Sequence, residues 1–181
     1  PIYDYFDFGL KNVTVKNVLN ENRYRLENGT QAIPMLLQTS LKSGKTLLLY
    51  KASALSSAGL TAGNLNGIIL TVANQGGTAR FMKVKLKPVA SSVLKPENLD
   101  FGGFTEVFND HYTYKKGANR IQFYTPFIWD GKSNILVEVS YTNSSPNTNI
   151  ELEGSLENTT ASLYSNNNYA VDLSSSGHLN I

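Results

Sequence analysis

The sequence predicts an all-β fold: an antiparallel two-sheet β-sandwich, jelly-roll-like, with one short helix near residues 52–59. Three observations predict it. Short apolar stretches recur along the 181 residues, and Asn, Ser, Thr and Gly collect between them. Spacing of about 8–12 residues between such breaks is the rhythm of a sandwich or barrel. Several of the apolar stretches alternate with the period of two that a half-buried strand requires. Hydrophobic residues make up 41% of the chain and charged residues 17%, which is enough apolar mass for a core and too little charge for a solvated, disordered chain.

The elements follow in order. Asn12–Leu19 places Val13 and Val15 on one side, and Asn22–Glu27 alternates through Tyr24 and Leu26. Asn28 and Gly29 both tolerate positive φ, so they predict a hairpin turn, with Ala32–Leu37 as the returning strand. Thr46–Tyr50 is an apolar strand. Lys51–Gly59 is the one helical stretch, with Ser53 as its cap and Gly59 as its stop. Leu65–Val72 resumes as a strand, and Asn74–Gly77 reads as a hairpin turn. Ala79–Val89 is the clearest amphipathic strand: Met82, Val84 and Leu86 face one way, while Lys83, Lys85 and Lys87 form a solvated face on the other.

Residues 90–103 are irregular. Short strands follow near Phe104–Phe108 and Tyr112–Tyr114. Within Asn119–Trp129, Pro126 breaks the ladder or marks a sheet edge. Asp130-Gly131 is a turn, Asn134–Tyr141 alternates, Ser144–Asn147 is a loop and Ile150–Gly154 is a hairpin arm. Tyr169–Leu173 closes a set of about ten to twelve strands, for which two packed antiparallel sheets are the economical solution. Residues 1–173 are expected to form a single module, and residues 174–181 a linker or the start of a following domain. Pro1 and the ending at Ile181 are expected of a piece of a longer chain.

Composition also limits function. Sixteen Lys and Arg against fourteen Asp and Glu leave a net charge of +2, with the basic residues spread along the chain, so no nucleic-acid partner is expected. Without cysteine there is no disulfide, thiolate chemistry or cysteine-based zinc site. No apolar run approaches the roughly 18 residues of a membrane span. Ser43-Gly44-Lys45-Thr46 ends like a P-loop, but Thr39 stands where that motif needs glycine, and the Thr opens a strand rather than a helix. The only histidines are His111, in an expected turn, and His178 in the tail; with no Gly-x-Ser-x-Gly elbow, neither a triad nor a zinc site is expected.

Candidate carboxylate pairs are Asp100 with Glu106 and Asp110, or Glu151 with Glu153 on a solvated strand face. Asp100, Asp110 and Asp130 lack the loop pattern of a calcium site. No catalytic residue, metal or cofactor is therefore expected. Sequons at Asn12, Asn28, Asn143 and Asn158 are read as chance products of an Asn- and Thr-rich composition.

The ten Tyr, eight Phe and one Trp carry the functional expectation. Tyr3, Tyr5, Phe6 and Phe8 crowd the N-terminus, Tyr112 and Tyr114 share one strand face, and Trp129 sits beside the Asp130 turn. Exposed aromatic faces stack sugar rings; the competing role for each is to fill and seal the sandwich. The candidate ligand-binding residues are Trp129, Asp130, Tyr112 and Tyr114, and if Trp129 is core the site moves to Tyr112 and Tyr114.

Two stretches, Leu48–Ile68 and Phe123–Val139 with its Trp129-Asp130-Gly131 turn, resemble a β-sandwich module common in secreted bacterial multidomain proteins. The tail Leu163–Leu173 resembles the lead-in to a following laminin-G-like or jelly-roll domain. The arrangement is similar to larger relatives of peptide-N-glycosidase F, in which a bowl-like N-terminal accessory domain precedes the deglycosylating domains. The resemblance covers about two-thirds of the chain and places the amidase residues in other domains. It implies secretion, neighbouring domains as partners, and a non-catalytic role in engaging N-glycans or glycoproteins. A structural spacer or protein-interaction module without glycan binding is the alternative.

Overall fold

Alternation along each strand turns one set of side chains toward a shared interior, and two sheets close over it. The computed structural model describes residues 22–26, 29–33, 37–155, 162–165, 174–175 and 178–179. Their elements are β1 (Gln31–Ile33), β2 (Ser43–Tyr50), α1 (Ala52–Ser57), β3 (Gly63–Val72), β4 (Thr78–Val89), β5 (Thr105–Thr113), β6 (Gly117–Trp129), β7 (Asn134–Thr142), β8 (Leu152–Ser155), β9 (Ser162–Ser165), β10 (Ser174–Ser175) and β11 (His178–Leu179). A 3-10 turn spans Pro96–Asn98. One sheet has the order β1-β8-β3-β6, with β11 also on β8; the second has the order β10-β9-β2-β7-β4-β5. All pairings are antiparallel. The fold is the expected all-β sandwich.

The first sheet contributes Ile68, Leu70, Val72, Ile121 and Phe123 to the core, and the second contributes Leu48, Tyr50, Met82, Val84, Leu86, Val137 and Val139. Each fully buried aliphatic side chain contributes about 1.5–3 kcal/mol. Helix α1 adds Leu55 to the same core. It stops at Gly59 as expected. With φ at +99°, Gly59 donates its N–H to Ser56 O, and Leu60 donates to Leu55 O, the paired bonds of a Schellman ending. The start differs from expectation: Lys51 is the N-cap, and the Ala52 N–H is met from across the fold by Asn134 Oδ1 at 2.8 Å. Ser53 lies inside the helix.

Other corrections share one cause, that local signals do not choose pairing partners. The Asn74–Gly77 turn does not join a hairpin; it carries the chain from β3 in one sheet to β4 in the other. Asn74 shapes it, accepting the Gly76 N–H and donating to Asn149 O. Residues 22–26 are not a strand, and β1 pairs with β8 rather than forming the expected hairpin. The two short strands expected around Phe104–Phe108 and Tyr112–Tyr114 are largely one, β5. Pro126 does mark an edge, since β6 ends its sheet. Within the stretch 174–181, expected as a linker or the start of a following domain, Ser174–Ser175 pairs as β10 with β9 and His178–Leu179 as β11 with β8. The expected strands at Asn12–Leu19 and Tyr169–Leu173, the N-terminal aromatics, and the sequons at Asn12, Asn28 and Asn158 lie outside the described residues.

The lysine face of β4 is not simply solvated. The irregular stretch 90–104 folds over the outside of the second sheet, where Leu94, Leu99, Phe101 and Phe104 pack with Leu47, Leu49, Leu136 and Leu163. That second apolar layer explains the unbroken Leu47-Leu48-Leu49 run, because both faces of β2 are covered. Lys87 is buried beneath the stretch. Its Nζ donates to Asp100 O and to Gly102 O at 3.0 Å, and lies 4.8 Å from the Phe104 ring centre. Lys85 and Lys45 flank the buried Glu138 at 3.2 and 3.9 Å, and Lys83 meets Glu106 at 3.6 Å.

Candidate functional site

Trp129 ends β6 with its ring turned inward and 1% exposed, and its Nε1–H donates to Ser133 O at 2.8 Å. A ring packed on every side offers no face to a ligand, so Trp129 is corrected from candidate platform to core. Asp130 is exposed, and both its oxygens already accept bonds from its own turn. Oδ1 accepts the Lys132 and Ser133 N–H groups at 2.9 and 2.8 Å, and Oδ2 accepts the Ser133 hydroxyl at 2.6 Å. The Ser133 hydroxyl first, then these two amides, hold its carboxyl down at about 2. Trp129-Asp130-Gly131 is thus a corner that turns the chain between the sheets.

The fallback pair fares differently in its two halves. The structure does bring Tyr112 and Tyr114 together, with centroids 4.6 Å apart. Tyr114 is buried and donates to Met82 Sδ at 3.2 Å; burial, then the neighbouring Tyr112, push its phenol far above the ordinary value. Tyr112 is half-buried, donates to Arg120 O at 2.8 Å, and is raised by burial alone. Tyr114 is therefore a core residue, and Tyr112 a strut beneath the surface.

The aromatic surface that the structure does present lies beside them, where the edge strands β5 and β6 meet. Alternation along β6 turns Ile121 and Phe123 inward and Gln122 and Tyr124 outward. Tyr124 is 62% exposed. One face of its ring stacks on Phe108, with centroids 5.2 Å apart and planes at 30°. Its hydroxyl lies 3.2 Å from Asp110 Oδ2 and donates to it. Burial against its neighbours, then the Asp110 charge, raise the Tyr124 phenol above its ordinary value. Phe108 in turn meets Tyr112 edge-on at 6.1 Å, so Tyr124 is the outermost ring of a continuous aromatic stack. A ring backed on one side and tethered at its tip is a preorganised contact face, with little rotamer freedom left to lose on binding.

A second exposed aromatic stands nearby on β4. Phe81 has φ at +45°, the only non-glycine positive φ among the described residues, and is 57% exposed. It sits in a β-bulge, where Ala79 pairs with Tyr112 and Met82 with Asp110. His111 holds it: Nδ1 accepts the Phe81 N–H at 3.0 Å, and the two rings meet edge-to-face at 4.7 Å. His111 is thus a strand residue of β5 rather than a turn residue.

The weighed carboxylates have separate partners. Asp100 meets Lys87 and the Gly102 amide, Glu106 meets Lys83 and Asn109, and Asp110 meets Tyr124. Among the described residues no three metal-ligating side chains converge, and no helix is long and apolar enough to cross a membrane. The P-loop-like Gly44 lies in β2 under Tyr141, whose ring a Cβ would meet at 2.8 Å. Asn143 is buried, with Oδ1 on the Arg80 N–H and Nδ2 on Thr39 O, so its sequon is sealed in the fold.

Tyr124 was legible in principle, since outward alternation opposite Ile121 and Phe123 marks it. Phe81 had no signal, because the bulge that exposes it depends on pairing with β5. Compared with family models, with curated proteins and with solved structures, the chain matches none.

Proposed function

We propose that this chain is a non-catalytic accessory module of a secreted bacterial glycan-acting protein, and that it aids recognition of glycans or glycoproteins through the Tyr124 face. The observation that carries this reading is the Tyr124 platform, open on one side, backed by Phe108 and tethered to Asp110. A sugar ring packs its C–H-lined face on an aromatic ring, while its hydroxyls seek acceptors at the ring edge. Asp110 supplies such an acceptor, and Gln122 is exposed on the same strand. The resemblance to accessory domains beside peptide-N-glycosidase F-like domains supports the extracellular setting and adjacent domains as partners.

Binding of the folded chain to an array of N-glycans and glycoproteins tests this. Wild type is expected to bind a subset, and Tyr124→Ala to lose it without unfolding, because the side chain is exposed. Silence from a folded wild type overturns the reading.

A second reading, a spacer or protein-interaction module, is favoured by two large apolar side chains left at the surface. Ile128 of β6 is 77% exposed, and Phe81 is exposed on β4. On that reading, glycans leave the chain silent, while Ile128→Asp weakens its association with an adjacent domain of the parent protein.

A further inference from the structure

We infer that the Tyr124 face selects neutral saccharides and rejects those carrying a carboxylate at the contacting residue. This inference rests on the proposed glycan-binding reading and names its ligand class.

Asp110 carries it. Its Oδ2 receives the Tyr124 hydroxyl and its Oδ1 the His111 backbone N–H at 2.6 Å, so both oxygens are fixed at the tip of the exposed ring. A carboxylate is an acceptor only and still has lone pairs for sugar hydroxyls, which are donors. No ion pair among the described residues includes Asp110: Lys83 is engaged by Glu106, Lys85 and Lys45 by Glu138, and Lys87 by Asp100. The adjacent His111 uses Nδ1 as an acceptor for the Phe81 N–H, a role only the uncharged ring can play. The platform therefore carries a negative charge that no ion pair among the described residues neutralises, held where the substituents of a stacked sugar project. A neutral pyranose satisfies that carboxylate. A sugar acid sets a second carboxylate against it, and like charges at an interface oppose binding.

For two carboxylates about 5 Å apart at an effective dielectric constant of 40–80, the penalty is roughly four- to fifteen-fold in affinity. Salt in the molar range removes most of it, because exposed charges are screened over about 3 Å at 1 M.

The test compares one galactose-terminated biantennary N-glycan with the same glycan capped by sialic acid. Both are titrated against wild type, Asp110→Asn and Tyr124→Ala at low and high salt. The expected result is weaker binding of the capped glycan to wild type, by the factor above. The gap should close in Asp110→Asn, which keeps an acceptor oxygen without the charge, and narrow at high salt. Tyr124→Ala should lose both glycans. Equal binding of both by wild type, or a gap that survives Asp110→Asn, overturns this inference while the glycan-binding reading stands. Binding of neither overturns that reading and this one with it.

Discussion

Replacing Trp129 by alanine removes the largest fully buried side chain of the sandwich. Deleting a buried aromatic costs about 3–5 kcal/mol, the transfer and cavity terms together. The indole also donates to Ser133 O at 2.8 Å, and losing that donor adds about 1 kcal/mol. The sum, about 4–6 kcal/mol, is a large share of the roughly 5–15 kcal/mol that holds a typical domain folded. Trp129→Phe keeps most of the ring and should cost less, about 1–3 kcal/mol. Trp129 is the only tryptophan, so its fluorescence follows wild-type unfolding, while the variants need far-UV circular dichroism. With a urea m-value of roughly 2 kcal/mol/M, the Ala midpoint should fall by about 2–3 M. A midpoint within about 0.3 M of wild type at unchanged m would show that the ring is not core, and would return Trp129 to the candidate binding face.

Three further outcomes follow from the same packing. Lys87→Met should destabilise by about 1–3 kcal/mol in urea titration, because the two hydrogen bonds from the buried ammonium to Asp100 O and Gly102 O are lost; an unchanged midpoint would mean that water replaces the ammonium. Gly76→Ala should be among the most damaging single-methyl changes, since φ is +86° and the new Cβ would collide with Tyr114 O; a soluble variant with wild-type thermal stability would contradict the turn geometry. Asp130 is held at about 2, below its ordinary 3.8, so its contribution is complete above 3.8 and is lost as pH falls through about 2. Thermal melts from pH 5 to 2 should therefore lose a component of their acid dependence in Asp130→Asn, and identical acid limbs in the two proteins would count against the hydrogen-bonded corner.

The sequence by itself determined the class of fold and most of the strands. Alternation and Gly59 act within a few residues, so the strand periods and the helix stop could be read before any partner was known, while Pro126 left a ladder break or a sheet edge open. The same locality made Tyr124 legible as an outward ring. Only the tertiary structure decided which strands pair, and with that it decided the site. A turn signal at Asn74–Gly77 reads alike whether the chain returns within a sheet or crosses to the other one. Lys83 and Lys87 share a strand face, yet one is at the surface and one is buried, because the 90–104 stretch covers only part of that face. Burial is a property of what packs against a side chain, and those neighbours lie far away in sequence.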